Sequence, residues 1–262
     1  MDLQLVDKVA LVTAASRGLG KASARQLARE GAHVIMCARS DALEPAASEI
    51  QSESRAEVVP VRADVTVQAD IERLVKGAIG RFGRVDILVI NAGGPTPGNF
   101  LDLTLADWEA AIQLTLMSAV RLCYEVVPHM LEQGSGNIIA IESISVRQPI
   151  DKLILSNSVR MAVIGMLKSM ANEFGPQGIR INAINPTFTW TERVEQLLKN
   201  RAADKGTDIA QEAEAIAATI PLRRMGDVEE FGRAVAWLAS PASSYIHGHG
   251  LMFDGGATRS SI

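Results

Sequence analysis

Along the 262-residue chain, short unbroken apolar runs alternate with longer stretches in which apolar residues return every three or four positions. The runs are Val9–Val12, Val34–Cys37, Val58–Val61, Ile87–Ile90, Ile138–Ile141, Ile179–Ile184 and Gly250–Phe253. Runs of this length predict strands buried on both faces. Helical periodicity predicts a first helix ending near Gly31, with Leu19, Ala22, Leu27 and Ala28 as its apolar stripe. Further helices are predicted over Ala42–Ser52, Ile71–Phe82, Leu105–Met130 and Leu153–Phe174. Strands separated by helices need right-handed crossovers, and therefore a parallel sheet covered on both faces. The expectation is an α/β, doubly wound fold. No repeat, low-complexity tract or Pro/Gly/Ser linker divides the chain, so residues 1–262 read as one domain.

One segment departs from the alternation. Trp190–Leu222 is rich in Glu, Lys, Gln and Ala and carries no strand pattern. It is too long for a plain connection, and reads either as a substrate cover or as a solvated helical excursion. Val194, Leu197 and Leu198 within it are either part of such a cover or ordinary core anchors.

The turn between the first strand and the first helix is Thr13-Ala14-Ala15-Ser16-Arg17-Gly18-Leu19-Gly20. Gly18 and Gly20 remove side chains where backbone would approach a ligand, and the helix that follows offers unpaired N–H groups and a positive dipole end. The turn is either a phosphate cradle or a tight packing turn.

Composition narrows the classes. With 47% hydrophobic and 21% charged residues the chain reads as a globular protein, and a formal net charge of −4 without a basic cluster gives no electrostatic case for nucleic acid or an anionic membrane. Cys37 and Cys123 lie in apolar runs without CxxC spacing, as buried thiols of a reducing compartment do. His247 and His249 lack a carboxylate or Cys partner motif, so no metal is expected. Met1–Asp7 has acids and no signal-like apolar core, and no run is read as long enough to span a membrane. A cytoplasmic location follows as the default.

Taken together, the spaced motifs resemble the short-chain dehydrogenase/reductase family over nearly the whole chain. The glycine turn matches the family's Thr-Gly-x-x-x-Gly-x-Gly, with Ala14 in place of the first glycine. Asn91-Ala92-Gly93 matches its Asn-Ala-Gly motif, and Asp64-Val65 falls where the family contacts adenine. Ser244-Tyr245-Ile246 and Asp254-Gly255-Gly256 look like its closing strand motif. The resemblance implies a Rossmann-type sheet of seven strands in the order 3-2-1-4-5-6-7, a nicotinamide coenzyme and a homotetramer or dimer. It also implies coenzyme contacts at Thr13, Ser16, Arg17, Gly18, Leu19, Gly20, Arg39, Asp64, Val65, Asn91, Ala92, Gly93, Arg160, Pro186 and Thr191. The position after the second strand that holds an acid in NAD enzymes is Ala38, followed by Arg39. With Arg17 in the glycine turn, two guanidinium groups and no carboxylate favour NADP(H) over NAD(H).

At the active site the sequence leaves the family pattern. Ser143 stands at the serine position, ending the fifth strand, and Ser156 follows at the usual spacing. The Tyr-x-x-x-Lys pair becomes Ser156-Asn157-Ser158-Val159-Arg160, and Thr115 occupies the asparagine position. A phenol beside an ammonium exchanges protons far more readily than a serine hydroxyl, and guanidinium stays protonated. Tyr124 and Tyr245 are the only tyrosines, and neither falls at a catalytic position. Asp151, Lys152 and Glu142 are alternative proton donors by location only, with surface or supporting roles as the competing reading. Two functions follow. One is an NADP(H)-dependent oxidoreductase that interconverts a small-molecule carbonyl and an alcohol through Ser143, Ser156, Arg160 and Thr115, closest in general resemblance to the 3-oxoacyl-[acyl-carrier-protein] reductase branch. The other is an NADP(H)-binding sensor or oligomer partner with little dehydrogenase activity.

Overall fold

The computed structural model describes residues 2–260. Its strands are β1 (Val9–Thr13), β2 (His33–Ala38), β3 (Val58–Arg62), β4 (Ile87–Ile90), β5 (Gly136–Ile141), β6 (Ile179–Pro186) and β7 (Gly250–Phe253). They pair in the order β3-β2-β1-β4-β5-β6-β7, every neighbour parallel, which is the expected Rossmann-type sheet. The helices are α1 (Gly18–Arg29), α2 (Leu43–Glu53), α3 (Gln68–Phe82), α4 (Leu105–Ala111), α5 (Ser118–Gln133), α6 (Ile154–Phe174), α7 (Glu192–Lys205), α8 (Ile209–Thr219) and α9 (Val228–Ala239).

The two-faced burial explains why the strands read as solid apolar runs. Val9 and Leu11 of β1 join a core with α3, α5 and α6, whereas Ala10 and Val12 join a second core with α1, α2 and α9. Successive side chains alternate faces, and here both faces are dry.

Three elements differ from the sequence reading. The helix expected over Leu105–Met130 is α4 and α5 joined by a π-helical segment, Ile112–Met117. Single π turns leave the 3.6-residue register, so apolar periodicity does not reveal them. Leu105–Gln133 also has the length and mean hydropathy, 1.3, to cross a membrane on composition alone, against the expectation that no run reaches that length. Its Leu122, Cys123, Val126, Val127 and Met130 are instead buried against the sheet. The third difference is α9, which the sequence reading omitted. Asp227 and Glu230 form its capping box, and Phe231, Val235 and Leu238 bury one face. It crosses α1 so closely that a Cβ on Gly232 would lie 2.6 Å from the Ala22 carbonyl oxygen.

The segment 190–222 forms α7 and α8 around a small core of Leu198, Ile216 and Ile220, against which Val194 also packs; Leu197 is exposed. The sheet's order reverses between β1 and β4, which opens a crevice beyond their carboxyl ends, where ligands of doubly wound folds bind.

Candidate active site

A cavity of about 700 Å³ lies over that crevice. Its wall includes Ser16, Arg17, Gly18, Leu19, Arg39, Asp64, Val65, Asn91, Ala92, Gly93 and Thr191 from the sequence-predicted set. Thr13 and Gly20 stand behind this wall. Thr13 is fully buried; its Oγ1 donates to the Asn91 carbonyl at 2.7 Å and accepts from the Asn91 N–H at 2.8 Å. This pair ties the ends of β1 and β4 together. A Cβ on Gly20 would lie 2.4 Å from the Ala14 carbonyl oxygen and 2.8 Å from Asn91 Nδ2, so only glycine lets the helix sit this close to the turn. Ala14 itself sits at φ +47, the left-handed region that the family's glycine would occupy freely.

At one end of the cavity, Arg39 Nη1 donates to Asp64 Oδ2 at 3.1 Å, while the arginine side chain remains 69% exposed. Partial burial opposes ionisation of Asp64, but hydrogen bonds from Thr66 and Arg39 outweigh it and hold the carboxyl below its ordinary range. Ser40 Oγ donates to Ser16 Oγ at 3.0 Å on the same wall. Ser40 was missed in the sequence reading, although its place directly after Arg39 was a readable signal. Two guanidinium groups and two hydroxyls therefore face this end. Cys37 and Cys123 are buried, which pushes both thiols up to about 12 and leaves neither as a nucleophile.

The residues assigned to chemistry lie apart from the cavity wall. Ser143 follows β5 and caps a short helical turn, its Oγ accepting the Ser145 N–H at 3.1 Å. Ser156 and Arg160 are buried on α6, one helical turn apart, and Arg160 Nε donates to Ser156 Oγ at 3.1 Å. Arg160 Nη1 donates to Glu142 Oε2 at 2.9 Å and to the Ile141 carbonyl at 3.3 Å. Its Nη2 has no protein acceptor among the described residues. Burial pushes the Glu142 carboxyl up, with Arg160 opposing the shift.

Glu142, beside Ser143 in sequence, thus holds the guanidinium that supports Ser156. Because Ser156 accepts from Arg160, its own O–H proton is free to donate elsewhere. Thr115 lies in the π segment that packs on α6, and its Oγ1 is buried without a hydrogen-bond partner. Pro186 is buried at the end of β6. Asp151 and Lys152 are exposed in the loop before α6, Tyr124 is 76% exposed on α5, and Tyr245 is fully exposed. His247 Nδ1 accepts the Ile181 N–H at 3.2 Å, and Nε2 lies 2.7 Å from the Ala171 carbonyl, so both ring nitrogens serve the fold.

A second residue missed in the sequence reading is Arg193. It follows Thr191, the N-cap of α7, and lines the cavity. A Cβ on Gly94 would lie 2.5 Å from its Nη1, which places the guanidinium on the segment just after Asn91-Ala92-Gly93. Burial in this wall and the charges of Arg160 and Arg17 lower its pKa below the usual arginine value. The sequence carried no sharper signal than an arginine near a family threonine.

The wider comparisons agree with this architecture. Residues 13–258 match the family model described as Enoyl-(Acyl carrier protein) reductase. The chain is 35% identical to Oxidoreductase UcpA of Salmonella typhimurium, over 97% of this chain and 96% of that protein. It is 36% identical to a 3-oxoacyl-[acyl-carrier-protein] reductase of Synechocystis, over 96% and 97%. L-Sorbose reductase from Gluconobacter frateurii, solved with NADPH and L-sorbose, superposes with a TM-score of 0.96 at 31% identity, covering 99% of this chain and all of that one. Fold and site define a nucleotide-binding oxidoreductase of the doubly wound class. Within it, the chain belongs to the short-chain dehydrogenase/reductase family.

Proposed function

We propose that this protein is an NADP(H)-dependent oxidoreductase interconverting a carbonyl and an alcohol, with a proton-transfer site built from Ser143, Ser156, Arg160 and Thr115. The observation that carries the coenzyme assignment is the cavity at the strand switch point, with Arg17, Arg39, Ser16 and Ser40 at one end. Its volume suits an extended small ligand. A Cβ on Gly93 would meet open space, so that glycine leaves room in the wall rather than serving packing. The residues present fit a dinucleotide. The glycine turn and the N-terminus of α1 would hold its pyrophosphate, and Arg17 and Arg39 its 2′-phosphate. The L-sorbose reductase and other similar structures were solved with NADPH, which supports the same coenzyme here.

When bound, nicotinamide supplies the hydride. The chain's own residues manage the oxygen and its proton. Ser143 orients the substrate oxygen by hydrogen bonding. Ser156 donates its O–H proton toward that oxygen, directly or through a water, while accepting from Arg160 Nε. Glu142 fixes the guanidinium, and the remaining Nη2 of Arg160 is the group available to a ribose hydroxyl. The π segment brings Thr115 against α6 with an unsatisfied hydroxyl, which suits a water or substrate contact. The helices α7 and α8 cover the substrate end. The working protein is a cytoplasmic homotetramer or dimer.

The second reading, a coenzyme-binding protein with little turnover, draws support from one feature. The Arg160–Glu142 pair is buried and self-neutralised, which weakens the positive field a lysine would provide. Fluorescence titration of NADPH, followed by its oxidation across ketones, aldehydes and oxoacyl thioesters, separates the two. Turnover with any class supports the enzyme; tight binding with no turnover supports the second reading; no NADPH binding defeats both.

A further inference from the structure

The cavity wall carries more positive charge than a 2′-phosphate needs. Arg17 and Arg193 both line it, and neither forms an ion pair among the described residues. The acids on the same wall do not neutralise them: Asp64 pairs with Arg39, and Glu192 makes no ion pair among the described residues. Arg193 also sits in the first turn of α7, whose N-terminal dipole adds to the positive field. Placing one guanidinium among like charges is unfavourable, so the arrangement suits an anion that is absent from the protein itself.

From this we infer that Arg193 recognises an oxyanion carried by the substrate, so that the site takes carbonyl or alcohol compounds bearing a carboxylate or phosphate group. The assignment presupposes the oxidoreductase reading above and specifies its substrate class. Position separates it from coenzyme binding. Arg17 belongs to the glycine turn and Arg39 follows β2, both toward the 2′-phosphate end, whereas Arg193 rests on Gly94, just beyond the Asn-Ala-Gly segment. Arg160, the cation of the proton-transfer site, acts on Arg193 more strongly than Arg17 does, in keeping with a place nearer the substrate end. A guanidinium binds carboxylate or phosphate through two parallel hydrogen bonds, which fixes orientation as well as charge. The substrate carbon would then be held by its anionic end at Arg193 and by its reacting oxygen at Ser143.

The test compares the wild type with Arg193→Gln and Arg193→Lys. Arg193 lies at the solvent-facing start of a helix, and thermal melts check that each variant is folded. NADPH and NADH affinities are measured first by fluorescence, then malonate and inorganic phosphate are titrated calorimetrically into coenzyme-saturated protein. Loss of one charge-assisted contact corresponds to a drop of about 10- to 100-fold in anion affinity for Arg193→Gln. Partial recovery is expected in Arg193→Lys, with coenzyme affinity unchanged in both variants. Steady-state rates with phenylglyoxylate against its methyl ester give a second readout, the wild-type preference for the free acid falling by the same factor.

Equal weakening of NADPH and NADH in Arg193→Gln would move the oxyanion to the coenzyme pyrophosphate and overturn the substrate assignment. Normal NADPH binding with no anion binding, or with anion binding that ignores the substitution, would also overturn it while leaving the oxidoreductase reading intact. Failure of the wild type to bind NADPH sinks the oxidoreductase reading instead, and malonate titrated without coenzyme then still reads the Arg193 contact.

Discussion

The buried pair Glu142–Arg160 makes a quantitative prediction. The two side chains are 4% and 9% exposed, and Nη1 lies 2.9 Å from Oε2. Replacing Glu142 with Leu leaves a guanidinium inside the protein with only Ser156 and the Ile141 carbonyl as acceptors. Breaking one side of such a pair costs about 3–5 kcal/mol, whereas replacing both partners by apolar residues is near neutral. Glu142→Leu should therefore lower the urea midpoint strongly at unchanged m, and Glu142→Leu/Arg160→Met should recover most of it.

The pH dependence has a defined sign. Burial raises the native pKa of Glu142 above its unfolded value, so the native state binds this proton more tightly than the unfolded chain. Its contribution to stability is fully present below the ordinary carboxylate pKa and is lost as pH rises through the native value. Urea midpoints of wild type and Glu142→Gln, measured from about pH 4.5 to 8, should converge or diverge along this slope only in the wild type. A single-variant loss below about 1 kcal/mol, or a double variant as unstable as the sum of the two singles, would refute the pairing argument.

Other consequences are direct. Arg39→Ala removes a guanidinium from the 2′-phosphate end and should weaken NADPH by about 10- to 100-fold with little change for NADH, read by fluorescence titration; equal losses contradict the coenzyme assignment. Ser156→Tyr/Arg160→Lys should give little ketone reduction while Glu142 still captures the new ammonium, and the triple variant with Glu142→Ser should gain turnover of simple ketones, followed by NADPH absorbance. Ala14→Gly relieves the left-handed backbone at φ +47 and should raise stability by about 1 kcal/mol in urea unfolding, offset in part by the entropy of glycine in the unfolded chain.

Much of the fold was legible because strands buried on both faces must be apolar at every position. The seven runs need no alternation to be recognised, and parallel pairing follows from the helices between them. The helix α9 was missed for a reason of attention rather than physics: its Asp227–Glu230 box and Phe231–Val235–Leu238 stripe are readable. The π segment was not readable, because a single wider turn leaves no period of its own. At the site, the glycine turn, Asn91-Ala92-Gly93 and Arg39 are local in sequence, and the cavity contains them all.

What the chain by itself determined was therefore the sheet, the dinucleotide-type crevice and the absence of Tyr and Lys from the positions at which related enzymes carry them. Only the tertiary structure decided what stands in their place. Glu142, adjacent to Ser143 in sequence, meets Arg160 from a different element, and Arg193 meets Gly94 across the cavity. Such contacts join residues far apart in the chain, and the charge balance between them depends on burial and on which guanidinium finds an acid. Neither quantity is carried by residue type or spacing; both arise when the β5 end, α6 and α7 are brought to one edge of the sheet.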